Sequence, residues 1–222
     1  MKTTSLKVKA YNSLKEKIIH GIYAPGQYLN ENLLMEELNI GRTPIKDALG
    51  RLEQEGLIEI KPKKGVIVTS LSLQDINMIF EMRLLYEPYI VKHYGNLIPE
   101  KELLHFYNIF TNTKLDHYSK DQDKYYSLDA DFHQMIITAS PNTYIHRCYA
   151  MIQTQSERFR YMTGKISDKR IADTFTEHLQ IVNPLIKKDW DKAQEQLIHH
   201  LNQSKKATMQ LIMENADRIS II

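Results

Sequence analysis

The sequence lacks the features of disulfide-bonded and membrane-spanning proteins. Its 222 residues include a single cysteine, Cys148, so no disulfide can form within the chain. No stretch approaches the roughly 20 apolar residues that a membrane-spanning helix requires, and the first residues lack the apolar core of a signal peptide. We therefore expect a cytoplasmic protein that does not bind membranes, with Cys148 as a small buried residue.

The chain also has little net charge, but the charge is unevenly distributed. The formal net charge is +2, with an excess of three positive charges in residues 1–71 and of one negative charge in residues 72–222. Eight of the nine histidines lie beyond residue 90. The basic N-terminal part suits a polyanion, whereas the histidine-rich remainder suits a different kind of ligand.

Three helices and a hairpin are predicted in the basic N-terminal part. Apolar residues recur at helical spacing across residues 6–19, and Asn30 can cap a second helix. A third helix starts with Thr43 as its predicted N-cap and ends at Gly56. Two short β-like runs then flank residues 62–65. A short turn between the second and third helices, followed by a hairpin, predicts a winged helix-turn-helix domain.

Basic residues occupy the exposed parts of this predicted domain. Arg42 and Lys46 lie four residues apart at the start of the third helix, on the face opposite its apolar stripe. In a winged helix-turn-helix this end of the recognition helix enters the DNA major groove, where Arg42 reaches a guanine edge or a phosphate. Lys63 and Lys64 in the wing would attract phosphates. The alternative is a small helical domain with a solvated basic face.

The segment from Tyr11 to Val68 resembles the DNA-binding domain of the GntR family of bacterial transcription regulators. It departs from the family at Gly41, where serine is usual, and at Lys46, where arginine is usual and gives bidentate guanine readout. The matching motifs are Gly21, Pro25-Gly26, Leu29, Arg42-Thr43-Pro44, Ala48-Leu49, Arg51-Leu52, Glu55-Gly56-Leu57 and Gly65. The DNA-binding residues that we predict with this resemblance are Arg42, Thr43, Lys46, Arg51, Lys63, Lys64 and Gly65.

From Leu73 onward the sequence predicts helices only. Apolar residues recur at helical spacing, and the segments are separated by glycine, proline and polar residues. The expected fold class is therefore mainly α, with an antiparallel six-helix bundle after the winged helix-turn-helix. The predicted helices are 73–94, 99–117, 121–139, 142–163, 169–187 and 190–215.

Four residues of the predicted bundle have the chemistry and the spacing of metal ligands. Asp129 and His133 lie one helical turn apart on one face. Helical phase places His200 at the edge of the inward stripe of the last helix and His199 on the opposite side. With His178, three imidazoles and one carboxylate suit a divalent ion such as Zn²⁺, Ni²⁺ or Mn²⁺. The alternative is a set of unrelated core and surface histidines.

The segment from about residue 72 to residue 216 resembles the FCD ligand-binding domain of the FadR subfamily, in its VanR-like branch. The matching features are Arg83 and Glu87, Asp129 with His133, Asn142, Glu177-His178, and His200 before leucine. The resemblance implies that Asp129, His133, His178 and His200 hold a metal ion. Arg83 either binds the carboxylate of an effector or pairs with Glu87. Tyr161 is a second candidate effector-binding residue.

The two predicted domains together indicate a transcription regulator and not an enzyme. Residues 1–71 are expected to bind double-stranded operator DNA as part of a homodimer. Residues 72–222 are expected to bind a small carboxylic acid at a divalent metal ion and to form the dimer. One alternative is a metal-dependent enzyme fused to a DNA-binding domain. Another is an architectural DNA-binding protein without an effector.

Overall fold

A computed structural model describes residues 5–61, 65–112, 118, 120–163 and 166–214, and gives no side-chain detail for residues 162 and 163. Contacts between residues divide the chain into two compact units. The first comprises the chain up to Ser72 together with Glu157–Met162, and the second comprises Leu73–Ser156 and Thr163–Asn215. Among the described residues, no helix is both long and apolar enough to cross a membrane.

The first unit contains the predicted helix-turn-helix and a three-stranded antiparallel sheet. Its strands β1 (Tyr28–Leu29), β2 (Ile58–Lys61) and β3 (Gly65–Val68) follow the order β1-β3-β2, with Tyr28 opposite Ile67 and Ile58 opposite Val68. The hairpin of β2 and β3 was predicted, but the two-residue strand β1 was too short for an alternating pattern to reveal. The elements are α1 (Leu6–Ile19), β1 (Tyr28–Leu29), α2 (Glu31–Leu38), α3 (Arg42–Gln54), β2 (Ile58–Lys61) and β3 (Gly65–Val68).

The starts of α2 and α3 differ in how they are capped. The side chain of Asn30 accepts a hydrogen bond of 2.9 Å from the backbone N–H of Asn32, as predicted for an N-cap. Helix α3 instead starts at Arg42, and its N-cap is Gly41, which has no side chain to accept such a bond. The prediction of Thr43 as N-cap was therefore wrong, since Thr43 and Pro44 already lie in the first turn.

The core of the first unit fixes the orientation of α3. Ile45, Leu49 and Leu52 are almost fully buried, and α1 packs against α3 through Leu14. Burying one stripe of an amphipathic helix turns the opposite stripe to the solvent. Arg42 and Lys46, which lie on that opposite stripe, are thus exposed because of the apolar pattern of α3.

The second unit is helical throughout its described residues, which confirms the predicted fold class. Residues 113–117 of the second predicted helix lie outside the described residues. A short 3₁₀ helix, Gly95–Leu97, follows the first helix. The α-helices are α4 (Leu73–Tyr94), α5 (Glu100–Asn112), α6 (Gln122–Thr138), α7 (Thr143–Thr163), α8 (Asp168–Ile186) and α9 (Trp190–Glu214).

The last helix organises the packing of the second unit, since α9 lies against both α4 and α8. Phe132 and Leu197 are fully buried in the shared core. At Gly95, a Cβ atom would lie only 2.8 Å from Cε3 of Trp190, so the ring leaves room for glycine alone.

Cys148 is exposed on α7, and its assignment to the core was therefore wrong.

Candidate nucleic-acid interface and metal centre

The exposed face of α3 carries the predicted base-reading residues. Arg42, Thr43 and Lys46 are all exposed. A hydrogen bond of 3.4 Å joins Nη2 of Arg42 to Oδ1 of Asn32. Within the described part of the chain, Lys46 has neither a hydrogen bond nor an ion pair with a side chain. These two cations are accordingly available to a polyanion.

The other predicted DNA-binding residues occupy different surroundings. The guanidinium carbon of Arg51 lies 3.6 Å from the ring centroid of Tyr11, and its Nε lies 3.3 Å from Oε1 of Glu55. Arg51 is therefore already held by the fold. Gly65 starts β3 at a φ of +96°, a conformation that favours glycine. The predictions for Lys63 and Lys64 lie outside the described residues.

The second unit brings the four predicted metal ligands together from three helices. Asp129 and His133 come from α6, His178 from α8 and His200 from α9. One donor atom from each residue lies within 4.8 Å of the other three. His133, His178 and His200 are each 1% exposed, whereas His199 is exposed on the opposite side of α9.

The distances between these donor atoms fit a single transition-metal ion. Nε2 of His200 lies 3.1 Å from Nε2 of His133 and 3.3 Å from Nε2 of His178. Oδ1 of Asp129 lies 3.5 Å from Nε2 of His178 and 3.8 Å from Nε2 of His133. Ligands about 2.0–2.1 Å from a tetrahedral ion are about 3.3 Å from one another. The residues present therefore fit a divalent metal.

A buried carboxylate on α4 contacts the first of these histidines. Oε2 of Glu87 accepts a hydrogen bond of 2.6 Å from Nδ1 of His133, and Oε1 accepts from Nε of Arg83 at 2.7 Å and from the Tyr149 hydroxyl at 3.1 Å. Burial by itself raises the pKa of Glu87, but the charge of Arg83 and the contact with His133 outweigh burial and hold the pKa at about 2.

A second carboxylate, Glu177 on α8, contacts His200 in the same way. Oε2 of Glu177 lies 2.7 Å from Nδ1 of His200, and Arg170 donates two hydrogen bonds of 2.6 and 2.8 Å to the two oxygens of Glu177. Nη2 of Arg170 also donates to Ser204 at 3.1 Å. Burial by itself raises the pKa of Glu177, but the hydrogen bonds from His200 and Arg170 outweigh burial and lower the pKa to about 2. The sequence had revealed neither contact of these carboxylates with a histidine.

The third histidine, His178, is held by packing. Its ring lies between Phe110 and Phe132, with centroid distances of 4.9 and 4.4 Å. Its Nδ1 atom is buried and has no hydrogen-bond partner in the described part of the chain. Burial, together with the neighbouring His200, holds the pKa of His178 well below its ordinary value. A neutral imidazole is the form that binds a metal ion.

The two predicted effector-binding residues are placed differently. Arg83 is buried, and its Nε pairs with Glu87, which is one of the two roles considered for it. Tyr161 is exposed, belongs to the first unit, and packs its ring on His20 with a centroid distance of 4.2 Å. The structure therefore does not bring Tyr161 to the histidine cluster. Tyr149, more than three turns earlier on α7, is the tyrosine that reaches Glu87.

Comparison with known proteins agrees with this division of the chain. Residues 6–68 match the family described as bacterial regulatory proteins of the gntR family, and residues 78–203 match the FCD domain. The chain is 24% identical over 219 residues to the HTH-type transcriptional repressor RspR of Escherichia coli K12, which covers 98% of this chain and 95% of the repressor.

Two solved structures share the fold. E. coli McbR/YncC aligns with a TM-score of 0.76 at 18% identity, covering 94% of this chain and 99% of that one. The Zn²⁺-bound FCD domain of TM0439 aligns with a TM-score of 0.56 at 20% identity, covering 65% of this chain and 99% of that domain. With a helix-turn-helix domain of the gntR type followed by an FCD domain, the chain belongs to the GntR family of bacterial transcription regulators, in the subfamily that carries an FCD domain.

Proposed function

We propose that this GntR-family regulator is a homodimeric repressor whose affinity for a double-stranded operator changes when a small carboxylic acid binds at a divalent metal ion. Residues 1–71 form the DNA-binding domain, and residues 72–222 form the domain that binds the effector and makes the dimer. The observation that carries the proposal is the convergence of three imidazole nitrogens and one carboxylate oxygen within 4.8 Å of one another.

Operator recognition is assigned to the exposed face of α3 and to the wing. Arg42, Thr43 and Lys46 contact the bases and phosphates of the major groove, while Lys63 and Lys64 attract the phosphates sequence-independently. The lack of an ion-pair partner for Lys46 in the described part of the chain supports this role. Arg51 and Gly65 contribute at the edges of the same surface.

The metal ion is assigned to Asp129, His133, His178 and His200. Imidazole nitrogens with one carboxylate suit Zn²⁺, Ni²⁺ or Mn²⁺, and the Zn²⁺-bound FCD domain of TM0439 supports this assignment through its shared fold. A divalent ion with four protein ligands can offer further coordination positions to a carboxylate oxygen. The chain's own residues hold the ion and exclude bulk water, since all three imidazoles are buried.

The charges around the cluster favour an effector with one carboxylate. The described residues place three carboxylates there, Asp129, Glu87 and Glu177, and two guanidinium groups, Arg83 and Arg170. These five groups sum to one negative charge, and a divalent ion changes the sum to one positive charge. A single carboxylate then makes the site neutral, which lowers the cost of burying it. The Nη atoms of Arg83 have no hydrogen-bond partner among the described residues, so they can donate to that carboxylate.

The proposal is tested by fluorescence anisotropy with a labelled fragment of the promoter of the protein's own gene. Metal-loaded protein is titrated with a panel of small mono- and dicarboxylic acids. We expect one acid to change the DNA affinity by about 5- to 150-fold, the usual range of allosteric coupling. His133→Ala should abolish this response and leave DNA binding without the acid largely intact.

Three results would contradict parts of the proposal. Absence of a protected site in a footprint of this promoter at low salt would contradict operator binding. An acid response that survives in His133→Ala would separate the effector from the metal. If chromatography shows that the protein consumes the acid, the result would favour the alternative function, a metal-dependent enzyme fused to a DNA-binding domain.

A further inference from the structure

Two of the three histidines of the cluster share an arrangement that the third lacks. His133 and His200 each direct Nδ1 at a carboxylate, Glu87 at 2.6 Å and Glu177 at 2.7 Å, and direct Nε2 at the centre of the cluster. Each carboxylate is also paired with an arginine. An arginine is always protonated and keeps its partner ionised, and an ionised carboxylate only accepts hydrogen bonds.

This arrangement fixes the position of one proton on each of the two rings. Because the carboxylate only accepts, the proton of the neutral imidazole must lie on Nδ1, and Nε2 must carry a lone pair. The Nε2 atoms of His133 and His200, 3.1 Å apart, therefore cannot hydrogen-bond to each other as neutral rings. Two facing lone pairs at this distance repel each other unless a proton or a metal ion lies between them.

We propose that Glu87 and Glu177 are positioning residues that hold His133 and His200 in the Nδ1–H tautomer and thereby aim their Nε2 lone pairs at the metal ion. The inference rests on the proposed metal site. It adds two residues to that site, Glu87 and Glu177, and specifies which nitrogen of His133 and of His200 carries the proton. His178 has no such partner among the described residues, and the rings of Phe110 and Phe132 hold it instead.

The two carboxylates differ in a way that gives an unequal response to the same substitution. Oε1 of Glu87 accepts from two donors, Arg83 and Tyr149, while Oε2 accepts from His133 alone among the described residues. In Glu87→Gln the one side-chain oxygen of the glutamine should occupy the Oε1 position, where Arg83 and Tyr149 donate. The amide NH₂ should then occupy the Oε2 position and face Nδ1 of His133. An amide donor there forces the proton of His133 onto Nε2, where it blocks the metal.

At Glu177 the donors are distributed the other way. Within the described part of the chain, Oε2 accepts from both His200 and Arg170, and Oε1 accepts from Arg170 alone. In Glu177→Gln the oxygen should therefore remain on the Oε2 side, where it still accepts from Nδ1 of His200. That substitution weakens the arginine pair but leaves the tautomer of His200 unchanged.

The experiment measures metal affinity and tautomer separately on the full-length protein. Zn²⁺ affinity is determined by competition with a chromophoric chelator for the wild type, Glu87→Gln, Glu177→Gln and the matched surface control Glu195→Gln. Glu195 is exposed on α9 and paired with Lys192. We expect Glu87→Gln to lose about 10- to 100-fold in affinity, the range for removal of an outer hydrogen-bond partner. Glu177→Gln should lose less than Glu87→Gln, and Glu195→Gln should match the wild type.

The tautomers are read from long-range ¹H–¹⁵N spectra of the histidine rings in metal-free protein at neutral pH, assigned with single His→Ala variants. We expect Nδ1–H for His133 and His200 in the wild type, and Nε2–H for His133 in Glu87→Gln. Nε2–H at His133 in the wild type would overturn the proposal, as would unchanged affinity in Glu87→Gln. A wild type that binds no Zn²⁺ would contradict the proposed metal site, while the wild-type tautomer would still decide the positioning role even if a variant fails to fold.

Discussion

On the predicted DNA face of the first unit, Arg42 and Lys46 are exposed, and among the described residues only Arg42 has a side-chain hydrogen-bond partner, Asn32. Around the histidine cluster of the second unit, Arg83, Glu87 and Glu177 are buried, Arg170 is partly buried, and each arginine is paired with a glutamate. Exposed charges stay hydrated and are screened by salt, so they cost little when free and act only on a bound ligand. Buried charges lose hydration and persist only with good hydrogen bonds. Replacing Arg42 or Lys46 should therefore change binding alone, while replacing a charged residue around the histidine cluster should also change local geometry.

The largest effect should come from removing one metal ligand. His200→Ala deletes an imidazole from the cluster. It should weaken Zn²⁺ binding more than the loss of a residue that only hydrogen-bonds to a ligand, which costs about 10- to 100-fold. His199→Ala is the matched control, because it removes the adjacent histidine from the exposed side of the same helix. Metal content after dialysis, measured by atomic emission, should be near zero for the first variant and unchanged for the second. Equal contents would contradict the assignment of His200.

Helical phase explains why Asp129, His133 and His200 could be predicted to face one cluster, whereas the contacts of Glu87 and Glu177 with its histidines could not be predicted. The spacing of Asp129 from His133, and the choice of His200 over His199, follow from 3.6 residues per turn within a single helix. The contact of Glu87 with His133 joins residues 46 positions apart on different helices. Such pairs depend on how helices pack, which periodicity does not specify. The same limit explains why helical spacing alone could not show which tyrosine of α7 contacts Glu87.

The order of elements was also predicted from periodicity within single helices. Local details were missed where the segment was too short to show a periodic pattern. Apolar periodicity gave the three N-terminal helices and the mainly α second unit. The strand β1 has two residues, which is too few to alternate, and it forms only because β3 supplies a partner. The start of α3 depended on the backbone at Gly41 and not on the side chain of Thr43.

The first unit should lose DNA affinity without losing stability when an exposed cation of its DNA face is removed. Arg42→Ala should weaken operator binding by about 1–3 kcal/mol if Arg42 reads a base, and its thermal unfolding should match the wild type. Arg51→Ala should lose less DNA affinity, because its guanidinium is already stacked on Tyr11, and should instead lower stability by about 0.5–1 kcal/mol. Anisotropy and calorimetry on both variants would separate the two roles. Equal DNA losses would show that Arg51 is as free as Arg42.

Two glycines contrast the packing of the units in the absence of any ligand. In Gly95→Ala the new methyl group would meet the ring of Trp190 at 2.8 Å, so we expect a loss of about 1–3 kcal/mol in unfolding free energy. In Gly50→Ala no heavy atom lies within 4 Å of the new Cβ, and the site is inside α3. Alanine there should stabilise the metal-free, DNA-free protein by about 0.5–1 kcal/mol. Urea unfolding followed by circular dichroism measures both changes, and a stabilised Gly95→Ala would contradict the contact.

The smallest effect concerns a partly buried charge cluster of the first unit, around Glu55, that resembles those of the second. Glu55 accepts hydrogen bonds from the Tyr11 hydroxyl at 2.6 Å and from Lys15 at 2.8 Å. Burial raises the pKa of Glu55, but the bonds from Lys15 and Tyr11 outweigh burial, so the pKa is lowered in the folded protein. A lowered folded-state pKa contributes stability above the unfolded-state value, and that contribution is lost as the pH falls through the folded-state pKa.

Glu55→Gln should therefore be less stable than the wild type near pH 7, and the difference should shrink as the pH falls through the acidic range. Since Glu55 is partly solvated, we expect about 1 kcal/mol or less. Hydrogen exchange of the buried amides of α1 and α3, compared between the two proteins at each pH, isolates the first unit from the second. Glu59→Gln, which removes an exposed carboxylate paired with Lys61, is the control and should show a smaller difference. If the stability difference between Glu55→Gln and the wild type stays constant with pH, the cluster acts through packing and not through charge. The Glu55 cluster would then not resemble the charged clusters of the second unit.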